Sequence, residues 1–230
     1  MFQTDPFSLI VLFVGLSLLP FVAMIATSYL KIVVVMSLIR NALGIQSIPP
    51  NMVLNALALI LTFYIMAPMA SESWQIAKTE VEAQHVQEVQ PAAVAAQTSY
   101  LPNVDILAKA AEPFRQFLSD HTSAKERAFF VHTAETLWGK DGEPASVDPD
   151  SFYILLPSFC VSELTKAFQI GFLVYLPFIA IDIIVSNILL AMGMMMVSPV
   201  TISLPFKLLL FVMVDGWTLL IQGLVRGYLL

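Results

Sequence analysis

Six ionisable residues interrupt an otherwise apolar C-terminal stretch: Glu163, Lys166, Asp182, Lys207, Asp215 and Arg226. Charges in such a setting can do two kinds of chemistry. They can relay a proton or an ion across a membrane, or they can pair where helices or subunits meet. An ionisable group at the bilayer centre costs about 2.5–3.5 kcal/mol on insertion scales, so these six are hard to face toward lipid. That cost favours helices that bury one another inside an assembly, with carboxylates and cations paired across the contacts. Asp215 and Arg226 lie eleven residues apart. On an ideal helix that separation leaves them about 20° apart around the axis and about 16 Å apart along it, so each needs its own partner.

A second constellation is Ala191-Met-Gly-Met-Met-Met-Val-Ser-Pro199, with four methionines in five residues. A flexible, polarizable thioether specifies packing poorly but moulds itself around different shapes. The competing reading is ordinary membrane or core filler. Gly193 and Pro199 make the segment a bend between helices, and an apolar bend at membrane depth is tolerated only where it is buried in protein or lines a cavity.

Little else is equipped for chemistry. The single cysteine, Cys160, sits in Ser158-Phe-Cys-Val161 and reads as a buried, inert thiol. His85, His121 and His132 have no metal-site partners at suitable spacing, so no metal or cofactor is expected. There is no Walker phosphate loop, zincin helix, nucleophile elbow or Ser, His and acid arrangement in the apolar parts, and no basic nucleic-acid face. The chain is not expected to be an enzyme.

The elements that must position these residues follow from composition. At 58% hydrophobic and 12% charged residues over 230 positions, with mean hydropathy +0.80, the chain is too apolar for a soluble domain and reads as a multi-pass membrane or membrane-assembly protein. The expected fold is all-α, with kinked, hairpin-like apolar helices and an acidic helical insert. Its divisions are residues 1–71, N-terminal apolar helices; 72–151, the insert; and 152–230, C-terminal apolar helices carrying the methionine bend. Residues 6–30 are uncharged and long enough to span a bilayer, and no basic region precedes them, so they are expected to stay in the mature chain. Residues 52–70 form the second expected span, with Pro20 and Pro68 as kinks. Residues 71–152 hold 13 acidic and 6 basic residues, a charge of -7. There, residues 72–89 are helix-compatible, Pro91 and Pro102 bracket an Ala-rich linker, and Gly142, Pro144 and Pro149 form a loop. Ser123-Ala-Lys-Glu126 matches a capping box ahead of Phe130, Ala134, Leu137 and Trp138, closed by Gly139. In the C-terminal block, the run 167–181 has only 15 residues, and Asp215 cuts the last apolar segment into runs of 7 and 10, so these read as poor independent spans.

Three sets of residues carry a family resemblance. They are Thr27-Ser-Tyr-Leu-Lys-Ile-Val-Val-Val-Met-Ser-Leu-Ile-Arg-Asn-Ala-Leu-Gly44 with Pro49-Pro-Asn51; Ser162-Glu-Leu164 with Ala167-Phe-Gln-Ile-Gly-Phe172; and Met192-Gly-Met-Met-Met196 with Ser203-Leu-Pro-Phe-Lys207 and Val214-Asp-Gly-Trp217. Together they resemble the FliP/SctR family, the large core component of the type III secretion export apparatus of flagella and injectisomes. The acidic segment contributes nothing to the match.

The resemblance implies about five head-to-tail copies in a non-closing helical arrangement. They are completed by SctS/FliQ-like and SctT/FliR-like subunits and served by SctU/FlhB-like and SctV/FlhA-like export-gate proteins. The assembly encloses a pore for unfolded secreted polypeptide, in the bacterial inner membrane but raised toward the periplasm. Met192, Met194, Met195 and Met196 correspond to the family's pore gasket, with Gly193 permitting the bend, and Glu163 and Lys207 correspond to positions that pair between neighbouring subunits. Lys166, Asp182, Asp215 and Arg226 are the other charges expected to be buried. The start of the chain favours the injectisome branch. With Lys31, Arg40 and Lys207 assigned to short connections on one side, both termini and the acidic segment fall in the periplasm. The alternative function is a small-solute or ion transporter working through the intramembrane charges.

Overall fold

A computed structural model of the chain describes residues 6–45, 48–87, 104–139 and 145–229, and every regular element among them is a helix. In chain order these are α1 (Pro6–Ile25), α2 (Tyr29–Ala42), α3 (Asn51–Gln87), α4 (Val104–Ala110), α5 (Glu112–His121), α6 (Ala124–Trp138), α7 (Phe152–Ala191), α8 (Pro199–Met213) and α9 (Gly216–Arg226). The chain divides into two compact units, residues 1–65 with 160–230, and residues 66–159; both boundaries fall inside continuous helices, α3 and α7.

Helix length is where the sequence expectation needs correcting. The expected span 52–70 is the first part of α3, which continues through the charged residues beyond it to 37 residues. The short run 167–181 lies inside α7, a single helix of 40 residues. At 1.5 Å per residue α7 is about 60 Å long, twice the roughly 30 Å hydrocarbon core of a bilayer. Glu163, Lys166 and Asp182 therefore sit on an unbroken helix, since a charged side chain does not interrupt the backbone hydrogen-bond ladder. Asp215 does break its segment. It adopts a left-handed φ of 50° between α8 and α9, which meet at 60°. α1 and α2 likewise meet at 56°. At that bend the Thr27 hydroxyl donates to the Ala23 carbonyl at 2.6 Å and accepts from the Tyr29 amide at 3.4 Å. By length and composition, α3 and α7 can cross a membrane, and each bent pair can supply one more span.

The larger unit is organised around α2. Ile32, Val35, Met36 and Ile39 recur at helical spacing and are all buried, packed with Leu54 and Ala58 of α3, Ala167 and Phe178 of α7, Phe211 of α8, and Leu220 and Leu224 of α9. Gly171 allows α7 to approach α2 closely, since a Cβ there would lie 2.3 Å from Leu38 Cδ1. Lys31 and Arg40 lie within α2 and Lys207 within α8, not in connections. A loop-charge argument for orientation consequently has no footing in these residues.

In residues 66–159, Phe117 and Leu118 of α5 and Phe159 of α7 are buried, with the rings of Phe117 and Phe159 5.7 Å apart. Ser123 caps α6 as expected, its hydroxyl accepting from the Lys125 amide at 3.3 Å. Of the stripe expected on α6 only Ala134 is buried; Leu137 and Trp138 are exposed, and Trp138 meets Tyr153 edge-on at 5.2 Å. The expected linker and loop residues Pro91, Pro102, Gly142 and Pro144 lie outside the described residues.

Candidate functional site

The ions of the larger unit form two separate clusters. In the first, the stripe that buries α2 also carries Lys31 inward, because it lies one turn before Val35 on the same face. Its ammonium is 3.1 Å from Glu163 Oε2, and both side chains are almost fully excluded from solvent, at 3% and 0% exposure. Lys166, one turn further along α7 and half-exposed, donates to Glu163 Oε1 at 3.0 Å. The third donor is the hydroxyl of Tyr228, just beyond α9, which bonds Glu163 Oε2. The Tyr228 ring also lies beneath the Lys31 ammonium, 3.5 Å from nitrogen to centroid, and its hydroxyl is 3.5 Å from the Ser28 carbonyl at the α1–α2 bend. A buried carboxylate is tolerated when cations and hydrogen-bond donors occupy its lone pairs in this way. Burial, reinforced by the adjacent Glu163 carboxylate, pushes the Tyr228 phenol far above the ordinary tyrosine range, so it remains a donor.

The second cluster joins α2, α7 and α8. Lys207 pairs with Asp182 Oδ2 at 2.6 Å and donates to the Ala42 carbonyl at 3.3 Å. Ser203, one turn before Lys207 on α8, donates to Asp182 Oδ1 at 2.6 Å. Ala42 ends α2, so Lys207 places a cation on a C-terminal carbonyl that the helix itself leaves unpaired.

Within one chain Glu163 and Lys207 thus belong to different clusters, each with its own partners. Lys166 and Asp182 are half-buried, whereas Asp215 and Arg226, expected to be buried, are exposed in the single chain. Asp215 sits at the α8–α9 break and Arg226 at the last position of α9, where a cation complements the helix dipole without needing a buried partner. Sequence reasoning missed Lys31 and Tyr228. The position of Lys31 in the apolar stripe of α2 was the available signal; Tyr228 had none.

The methionine bend is built differently. The Gly193 amide donates to Leu190 O and the Met194 amide to Leu189 O, both at 3.0 Å, with Gly193 at φ +77°. This is a Schellman motif, which satisfies the last carbonyls of α7 and needs glycine at its left-handed position. Ser198 and Pro199 start α8, proline standing at the first helical position. Between the two helices Met192, Met194, Met195 and Met196 are all exposed, Met196 completely.

The remaining candidates carry less chemistry. Cys160 is half-buried, with its thiol 3.6 Å from the Ile25 carbonyl. His121 Nδ1 lies 2.9 Å from the Phe117 carbonyl, and no cluster of three metal-ligating side chains occurs among the described residues. The side chain of His85 lies outside them. A cavity of about 440 Å³ in the larger unit is lined by apolar side chains and glycine, among them Ile39, Val174, Phe178, Leu220 and Gly223, with no ionisable group.

Long apolar helices, buried ion clusters tying the first helices to the last, and a broad exposed apolar surface define a multi-pass helical protein of a membrane assembly. Residues 12–224 match the FliP family, and the chain belongs to it. It is 48% identical over 221 residues to the hypersensitivity response secretion protein HrcR of Ralstonia nicotianae, covering 96% of each chain. It is 49% identical over 226 residues to the Yop proteins translocation protein R of Yersinia pestis, covering 97% of each. The flagellar biosynthetic protein FliP of Bacillus subtilis is 40% identical over 220 residues, 96% of this chain and 90% of that one. The chain is accordingly an inner-membrane component of a type III protein-secretion apparatus, in a family of apparatus components rather than of enzymes.

Proposed function

We propose that the chain is a structural and gating subunit of the export channel itself. In this reading about five copies associate head to tail with small helical partner subunits, and the methionine bends converge on the pore axis. The observation that carries it is the contrast at residues 192–198: a bend fixed by backbone hydrogen bonds presents a run of exposed methionines. Such side chains seal a pore against small solutes and still yield around an unfolded polypeptide, because a thioether changes rotamer at little cost. The exposed apolar faces of α3 and α7 supply surface for lipid and neighbouring subunits. Pairing of Glu163 with Lys207 across subunits belongs to the same reading and requires each to exchange a partner it holds within the chain. The transporter reading gains no support from a cavity lined by no ionisable side chain.

Replacing Met194, Met195 and Met196 with Ala narrows the seal but leaves both ion clusters untouched. The variant should assemble and secrete while the membrane leaks ions and small dyes. Wild-type conductance in a normally assembled variant would make these residues packing only. The acidic residues 72–151 are proposed to face the periplasm, with the assembled complex raised toward it. A cysteine at Glu82, which is exposed, should in a Cys160→Ala background react with a membrane-impermeant thiol reagent once the outer membrane is permeable. Reaction only after inner-membrane lysis would reverse the orientation. The other labelling position suggested by sequence, Gln97, lies outside the described residues.

A further inference from the structure

We propose that the methionine bend is an oxidation site: a peroxide converts its exposed thioethers to sulfoxides, and the sulfoxides make the seal leak. The inference deepens the gasket reading proposed above and rests on it. Met192, Met194, Met195 and Met196 are all exposed, Met195 at 81% and Met196 completely. Their exposure needs no opening of the chain. The bend that presents them is fixed by the amides of Gly193 and Met194 on the carbonyls of Leu190 and Leu189.

The reaction is a two-electron oxygen transfer. A sulfur lone pair attacks one oxygen of hydrogen peroxide, and the S–O bond forms as the O–O bond breaks. The sulfur is oxidised, and the departing hydroxide takes the proton of the transferred oxygen and leaves as water. A thioether carries no proton of its own, so the step needs no activating base. The chain's one cysteine is a poor competitor for the oxidant, since Cys160 is half-buried with its thiol 3.6 Å from the Ile25 carbonyl.

The bend has little with which to satisfy the new oxygen. Between Leu190 and Pro199 the sole side chain able to donate a hydrogen bond is that of Ser198. The amides of Met192, Gly193, Met194 and Val197 already donate to backbone carbonyls. A sulfoxide is a polar acceptor placed where the seal needs an apolar, pliable surface, so it draws water into the contact. Copies that converge on one axis multiply the effect. Met52 and Met213 are the other exposed methionines among the described residues, on α3 and at the end of α8, each far in sequence from any other methionine. Oxidising either adds a polar group but opens no seal.

The test uses the assembled complex, purified with its partner subunits and reconstituted in a planar bilayer. Ion conductance is read before and after brief exposure to dilute hydrogen peroxide, and the oxidised residues are located by peptide mass spectrometry. In the wild-type complex conductance should rise to the level of the variant with Met194, Met195 and Met196 changed to Ala, with sulfoxide found at positions 192–196. Replacing Met192, Met194, Met195 and Met196 with Leu keeps the surface apolar and removes the oxidisable sulfur, so the response to peroxide should be lost. Where that fourfold change does not assemble or does not seal, Met195→Leu with Met196→Leu should at least lower the response below wild type. Met52→Leu with Met213→Leu should leave it intact. If the alanine variant leaks but the wild-type complex stays tight while sulfoxide forms at the bend, the gasket stands and the oxidation site is refuted. A peroxide response that persists in the leucine variants, or sulfoxide confined to Met52 and Met213, refutes it equally. An assembled alanine variant that does not leak removes the gasket reading and this inference together.

Discussion

Two ion pairs in this protein have the same length and opposite circumstances. Arg127 and Asp150, in residues 66–159, are 3.1 Å apart, with Asp150 more than half exposed. Lys31 and Glu163, in the apolar unit, are also 3.1 Å apart, and solvent reaches neither. Distance alone would rank them equal. Water screens the first pair and leaves it worth about 0–1 kcal/mol. The second is unscreened but has lost its hydration, so its net contribution is small while the cost of breaking it is large. The lesson is that the acidic unit wears its charges for solubility, whereas the apolar unit uses them as fixed couplings that either have all their partners or fail.

The variant with the largest expected effect is Glu163→Ala, which strands Lys31 in the core. It should lower the stability of the detergent-solubilised chain by about 3–5 kcal/mol, measured by unfolding in mixed micelles. The double change Glu163→Leu with Lys31→Met should recover most of that loss, because an apolar pair of similar volume carries no desolvation penalty. A Glu163→Ala loss no greater than that of a surface pair would end the distinction between the two units.

Gly193→Ala comes next and sharpens the comparison by probing a third environment, the exposed bend. A Cβ there meets nothing within 4 Å, so the penalty is purely conformational. Holding alanine at φ +77° costs about 1–2 kcal/mol, or the bend rearranges and the methionines turn away. Thermal unfolding measures the first outcome, and thioether accessibility to an oxidant such as dilute peroxide measures the second. Neither change would show that the Schellman geometry is dispensable.

The smallest effect is expected for Asp150→Ala, at no more than about 1 kcal/mol and fading further as salt is raised. A larger or salt-independent loss would mean that Asp150 has a structural role beyond its exposed pair with Arg127, and the contrast between the units would weaken.

Much of the architecture was legible in the residues. Long uncharged runs such as residues 6–30 pointed to membrane helices, which satisfy their own backbone groups. The methionine bend followed from Gly193 and Pro199, because a left-handed glycine and a helix-starting proline act within one turn of chain. Ser123 announced the start of α6 for the same local reason. What the sequence left open is everything that depends on a distant partner. Glu163 and Asp182 lie along the 40 residues of α7, and the cations that meet them, Lys31 and Lys207, come from other helices. Lys31 and Tyr228 come from opposite ends of the chain, and no spacing rule connects them to Glu163. Propensity and bend chemistry act between neighbours in sequence, so the chain alone determined its helices and its turn. Burial and charge pairing act between neighbours in space, and only the tertiary structure decided which carboxylate each cation would meet.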